Sequence, residues 1–539
     1  MESGDLLPRP GPSVSSSVAD GRGGWRAGLF LLGKSISIQL INSCCKANQL
    51  DRPAAVVFLE RVGFVGVQGN LIMYLTGPLG MSTAAAAASV NAWTGTVQVL
   101  PLVGALAADS RLGRYGAVLT AGVLYLLSLG ILTISTTLHA PSHPRHAVGS
   151  LSSAGLAFFY IALYMVALAQ GFHKPCAQAL GADQFAHASR SSYFNWYHFA
   201  VAWGYVVATV ALSYVEDNVG WTVGFGASWA AMVLCLAVFL VGAPRYRVAQ
   251  LAGGASFADA VRAWAARVFR RKDATDTERL LVDPQPGDDD DGKGLVAKLL
   301  PIWLTSLVFA AVKSQLSTLF TKQASTMDRR IGSSTTGVLV PPAALHCIMN
   351  ITLIVMVPVY DRALVPLARR VTGHRSGLTT LRRIGAGMAV SGVAMAVAAL
   401  VEAKRLRVAR DAGLVDSPDA AVPMSLWWLV PQYVLVGLAA VLGTIGLEEF
   451  FYSEVPDALR SVGLALSLSA MGAGSYVSGM LVSAIDWATT RSGGSWFNNN
   501  LNRAHLDCFY WLLAGFAVVD VAVFVLFANR FVYRNKSEL

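Results

Sequence analysis

The chain has 539 residues, 54% of them hydrophobic and only 14% charged, with a formal net charge of +10 and a mean hydropathy of +0.51. A soluble protein carries about 25% charged residues, so this composition excludes a soluble globular enzyme and implies a multi-pass membrane protein. The positive balance does not imply nucleic acid, because Lys and Arg gather in loops beside apolar segments, as cytoplasmic loops require.

Residues 1–24 are rich in Ser, Gly and Pro, which predicts a disordered cytoplasmic N-terminus. They hold no apolar core of a cleaved signal peptide, and Glu2 after Met1 excludes N-myristoylation. The first span is interrupted. Trp25–Leu32 is apolar, 34–55 is polar with Lys34, Lys46, Asp51, Arg52 and Pro53, and Val56–Leu75 is apolar again but carries Glu60 and Arg61. The polar stretch reads as an insertion that splits one helix and loops out of the bundle, because it cannot cross hydrocarbon. Gly28–Ser35, GLFLLGKS, fits the phosphate-loop pattern in letters only. Its loop positions are bulky and no strand precedes it, so it implies no ATP chemistry.

Further apolar spans fall at 83–107, 115–136, 151–173, 194–215, 221–243, 297–320, 339–360, 384–402, 425–451, 461–486 and 507–529. Each is near the ~20 residues needed to cross a bilayer, and with the first they make an all-α membrane protein of twelve helices. The hydrophilic segment 244–296 divides them into an N-terminal six-helix bundle, 25–243, and a C-terminal one, 297–529. That linker begins basic and ends in the run Asp288–Asp291, read as solvated rather than metal-binding. Its charge, the arginines of 362–383 and the basic tail 530–539 put the linker and both termini in the cytoplasm. Lys404, Arg405, Arg407 and Arg410 fall on the opposite side, against that rule. Six scattered cysteines show no metal spacing and imply no disulfide framework. The sequons at Asn350 and Asn535 lie in a span and in the cytoplasmic tail, so neither is expected to carry a glycan.

Ionisable residues inside spans are the candidates for function. A lysine in hydrocarbon costs ~3 kcal/mol on insertion scales, so Lys174 faces a cavity or a partner, or snorkels to the headgroups. Lys313 has the same two readings, and Glu60–Arg61 is either a working charge pair or a structural one. Between the second and third spans stands Gly104-Ala-Leu-Ala-Ala-Asp109-Ser-Arg-Leu-Gly113-Arg114. Its glycines permit close helix approach, and Asp109 with the arginines can form a switchable cytoplasmic ion-pair network. Tyr360-Asp361-Arg362 is a weaker copy in the second half.

These loops resemble the signature of the major facilitator superfamily. The runs ERVGFVGVQGNLIMYLTGPLG, GFHKPCAQALGADQF, EDNVGWTVGFG, LFTKQASTMDRRIG, VPMSLWWLVPQY and EEFFYSEVPDALRSVGLAL, in this order, resemble the proton-coupled oligopeptide transporter family in its plant nitrate/peptide branch. The resemblance implies a twelve-helix major facilitator fold of two six-helix bundles with a central site. It implies a secondary active transporter, not an enzyme, working by proton-coupled symport of nitrate, small peptides or a plant metabolite or hormone. A membrane-embedded receptor or regulator with the same fold and impaired transport is the alternative. It assigns proton coupling to Glu60, Arg61 and Glu449, substrate binding to Lys174 and Glu449, which are expected to form a charge pair across the central cavity, and conformational gating to Gly104, Asp109, Gly113 and Arg114; Lys313, a departure from the family, is an added candidate for substrate binding. Glu448 and Glu454 are read as structural. Two departures bear on mechanism. Val57 stands where the family's first-helix motif has its first Glu, which predicts weakened proton dependence, and Phe64 and Val65 replace two tyrosines that serve peptide substrates. No cofactor is implied beyond the proton as coupling ion. The partners implied are a small-molecule or anionic substrate and the lipid bilayer, without nucleic acid, and nothing requires more than a monomer. The plasma membrane or the vacuolar membrane is the expected location.

Overall fold

Hydrocarbon offers peptide groups no water, so spanning segments close their hydrogen bonds within helices. The computed structural model describes residues 51–107, 112–138, 153–183, 200–246, 291–331, 338–360, 379–418, 420–454, 460–491 and 494–531, with 367 and 370 besides. Met1–Arg52 and Pro53–Leu539 form two units, and the helical bundle is the second. Among the described residues, helices stand at all twelve expected positions. In the first half they are Asp51–Gln68 continued by Leu71–Thr76, Thr83–Ala107, Gly113–Leu138, Ser153–Asp183, a helical run over 200–218, and Trp221–Gly242. In the second half they are Asp291–Ser314 continued by Leu319–Ser325, His346–Val359, Thr380–Asp411, Val430–Ala439 continued by Ile445–Ser453, Arg460–Arg491, and Leu506–Arg530. These are the first to twelfth spans below. Nine of the described helical segments are long and apolar enough to cross a membrane by themselves.

The first helix is described over Asp51–Gln68, so residues 51–55 of the expected insertion belong to the helix and do not loop out. The rest of the insertion, 34–50, lies outside the described residues, as do 1–33 and 247–290 of the linker. The seventh span is helical from Asp291, the first described residue after that part of the linker, and so extends before the expected 297.

Burial separates inner from outer helices. In the first span 78% of the apolar window is buried, against 28% in the twelfth. The first therefore lies inside the bundle, while the twelfth presents Val518, Val519 and Leu526 outward, the surface that hydrocarbon covers. Two of the basic residues at 404–410 have partners in the fold. Arg405 is fully buried, not a loop charge: it donates from Nε and Nη2 to the two oxygens of Glu402 at 2.8 and 2.6 Å, from Nη1 to Asn502 Oδ1 at 2.8 Å, and from Nη2 to the Leu501 carbonyl at 2.8 Å. Lys404 lies over the Trp428 ring, 3.3 Å from its centre.

The two halves meet at the end that the loop charges assign to the exterior. The Asn91 amide donates to Ser478 Oγ at 3.0 Å, Thr96 and Tyr476 share a 2.6 Å hydrogen bond, and the Thr83 N–H donates to Asn499 Oδ1 at 3.0 Å. Lys322 donates to Thr76 Oγ1 at 3.0 Å. Gly95 and Gly472 let the second and eleventh spans approach closely: a Cβ on either would stand under 3.0 Å from the other's carbonyl oxygen.

Candidate functional site

Glu60 and Arg61 are consecutive on the first span, and the long arginine folds back on its neighbour. Nε donates to Glu60 Oε2 at 2.7 Å and Nη2 to Oε1 at 2.8 Å, a bidentate pair 1% and 5% exposed. The guanidinium lies 5.1 Å from the Phe64 ring centre and 5.9 Å from that of Tyr205. From the third span the Tyr125 hydroxyl stands 2.9 Å from Glu60 Oε1, and it also meets Gln170 Oε1 of the fourth span. One hydroxyl proton serves one acceptor at a time, so Tyr125 has a choice. His173 Nδ1 is 3.9 Å from Glu60 Oε1. A small cavity beside the pair is lined by Val56, Glu60, Tyr125, His173, Met232 and Cys235. Val57 is buried three residues before Glu60, on the same helix face, and brings no second carboxylate to it. Phe64 is used in packing, stacked on Trp93 at 5.8 Å between ring centres.

Lys174 follows His173. It is half-buried, and among the described residues it makes no hydrogen bond and no ion pair within 4 Å. The charges acting on it are Arg61 and Glu60 of its own half and Glu448 and Lys313 of the other. Glu448 acts on Lys313 as well. The Lys313 ammonium donates to Thr444 Oγ1 in the tenth span at 3.4 Å, so this side chain points into the protein and is no snorkeller. Thr444 closes a π-helical turn, Ala440–Thr444, that sets the rotation of the following helix.

That rotation corrects one expectation. Lys174 does not pair with Glu449. Glu449 accepts from Arg383 Nη1 at 2.8 Å and its side chain is 53% exposed, while Arg383 also donates to the Val441 carbonyl at 2.9 Å and lies over the Tyr360 ring, 4.3 Å from its centre. Neighbouring residues on a helix point about 100° apart, so one of two consecutive glutamates faces the opposite half and the other turns away. Glu448, read from the sequence as structural, is the glutamate whose charge acts on Lys174.

Of the four residues expected to gate, Gly104 is packed on the fourth span within the first half: a Cβ there would stand 2.1 Å from the Gly171 carbonyl oxygen. Gly113 opens the third span with φ +67°, and Arg114 follows it, half-buried. Asp109 lies outside the described residues.

Tyr125, Gln170 and Thr444 are absent from the residues expected from sequence. Each is a neutral polar side chain in an apolar span, which carries no cost that would single it out. His173 had a signal in its place beside Lys174.

The POT family pattern matches residues 115–282 and 287–500. The chain is 44% identical to Protein NRT1/PTR FAMILY 5.10 of Arabidopsis thaliana, over 97% of this chain and 95% of that protein. It is 41% identical to Protein NRT1/PTR FAMILY 5.16 of the same plant, over 96% and 94%. Among solved structures it is similar to an auto-inhibited POT family peptide transporter, with a TM-score of 0.70 at 18% identity, covering 90% of this chain and 98% of that one. A POT family transporter in complex with 5-aminolevulinic acid gives a TM-score of 0.66 at 15% identity, over 90% and 96%. The chain belongs to the POT family, in its plant NRT1/PTR branch, and is a multi-pass membrane transporter rather than an enzyme.

Proposed function

We propose that this transporter carries a small anion, nitrate or a carboxylate-bearing metabolite, by alternating access, and that its coupling to protons is weak. The observation that carries the reading is that Lys174 from one half and Lys313 from the other both feel the charge of Glu448 while neither is in an ion pair within 4 Å among the described residues. With Arg61 and Glu60 alongside, three cations stand against two carboxylates. A bound anion offsets that excess and gives the two lysines a common partner, which draws the halves together around the solute. Val57 supports the second clause: with a single carboxylate on that face of the first span, fewer protons can be exchanged there as the halves move. Phe64 and Val65, both buried in packing, supply no hydroxyl for a peptide backbone.

Flux into proteoliposomes tests this. Nitrate and small carboxylates are offered against di- and tripeptides, each with and without an imposed pH gradient. Anion flux that responds weakly to the gradient is expected. Peptide accumulation driven strongly by the gradient would overturn both clauses. Solute binding without flux of any solute would move the reading to a receptor of the same fold.

A further inference from the structure

At the outer end of the fifth span two consecutive carboxylates meet opposite surroundings. Asp217 accepts from Arg329 Nη1 at 3.1 Å and from Asn70 Nδ2 at 3.3 Å. It thereby ties the segment after the seventh span, in the second half, to the first and fifth spans. Arg329 donates as well to the Val340 carbonyl, at 3.4 Å. Its ion pair with Asp217 is mostly buried, with side chains 21% and 14% exposed. Glu216 is 2% exposed, and neither of its oxygens has a hydrogen-bond partner.

The surroundings of Glu216 offer it no counter-charge. Gly224 of the sixth span closes over it, so tightly that a Cβ there would stand 2.3 Å from Glu216 Cγ. The first span presents the neutral Asn70. The Pro342–Leu345 turn, packed on this helix end from the second half, is apolar. His346 behind it is occupied by Thr321 and the Leu316 carbonyl. Lys322, a second cation at this end of the molecule, donates to Thr76. Arg329 is engaged by Asp217, and Asp217 is the charged group that acts on Glu216. An ionised carboxylate buried without a partner is so unfavourable that such a group takes up a proton instead.

We propose that Glu216 is a proton-carrying residue of the outer gate, which binds a proton from the outer side when the Asp217–Arg329 latch closes and releases it when the latch opens. Opening parts Arg329 from Asp217 and admits water to this end of the helix, where Glu216 can ionise. The closed state holds more protons, so low external pH favours closure and rising pH favours opening, by up to about tenfold in the open-to-closed ratio per pH unit across the titration. The proton returns to the side it came from. It sets the poise of the gate and is not carried across, so this pH response is separate from the coupling weakened at Val57. The inference requires alternating access and does not depend on which solute is carried.

The test uses the full chain in lipid nanodiscs, without solute, carrying a site-specific fluorophore pair at the exposed positions Pro78 and Ser417, one on the outer side of each half. Energy transfer between them reads the open-to-closed ratio as external pH is raised. The unaltered protein is expected to open with rising pH. Glu216→Gln should stay closed and lose the pH slope. Glu216→Leu, which needs no partner, should do the same, separating loss of the proton from loss of packing. Asp217→Asn should shift the ratio toward open at every pH and keep the slope. An unaltered protein without a slope, or Glu216 variants that retain it, would overturn the proposal.

Discussion

Each half of the molecule buries a bidentate Glu–Arg pair, and the two pairs differ in what surrounds them. Around Glu402–Arg405 the pair itself is engaged on every side by hydrogen bonds beyond its own. Gln323 Nε2 donates to Glu402 Oε2 at 2.7 Å, Gln432 Nε2 donates in turn to Gln323 Oε1 at 3.2 Å, and Asn502 and the Leu501 carbonyl take two further guanidinium protons. Around Glu60–Arg61 the neighbours have alternatives: Tyr125 has two acceptors, His173 stands 3.9 Å off, a cavity lies alongside, and Lys174 is without a contact partner among the described residues. The same pair chemistry thus makes a fixed joint in one half, the closed network, and in the other, the open network, it borders the site proposed to bind the solute. Burial alone does not separate the two; the commitment of the neighbours does.

The largest effect should come from breaking the closed network. Arg405→Leu leaves Glu402 buried and unpaired, and should lower stability by about 3–5 kcal/mol, read as loss of thermal unfolding resistance in detergent. Glu402→Leu together with Arg405→Leu should recover most of it, because no uncompensated charge remains. In the open network, Lys174→Gln should leave unfolding unchanged and weaken anion uptake by about 1.5–3 kcal/mol, the worth of a hydrogen bond to a charged group. If Lys174→Gln unfolds the protein instead, the contrast between the two pairs is lost. Val57→Glu adds a carboxylate to the open network. It should raise the response to an imposed pH gradient by up to about tenfold per pH unit, one proton's share, in proteoliposome accumulation. The smallest effect belongs to a third pair. Glu449→Gln releases a half-exposed carboxylate from Arg383 and should cost no more than about 0.5 kcal/mol of stability, with flux unchanged.

What could be read from the sequence follows from cost. Twenty apolar residues in a row are legible because nothing else crosses hydrocarbon, and Glu60, Arg61, Lys174 and Lys313 stand out because a charge there is expensive. The choice between Glu448 and Glu449 was not legible. Both lie in the same apolar run, and the π-helical turn at Ala440–Thr444, which no residue type announces, decides the facing. The Glu402–Arg405 pair had a signal in its three-residue spacing, which puts both on one helix face, but the basic residues around it read as a loop. Arg329 and Asp217 lie far apart in the chain and at span ends, where charge is ordinary, so only the fold brings them together.

The central claim is that lysines from both halves bind one anion, and affinity tests it most directly. Stabilisation of the purified protein against heat by nitrate, by small carboxylates and by a zwitterionic dipeptide is titrated for the unaltered chain, for Lys174→Gln, for Lys313→Gln and for the double variant. The anions are expected to stabilise the unaltered protein and the dipeptide to leave it unchanged, with the anion affinity falling about tenfold or more in each single variant and further in the double. An anion affinity equal in the unaltered and double-variant proteins, or stabilisation by the dipeptide alone, would contradict the account.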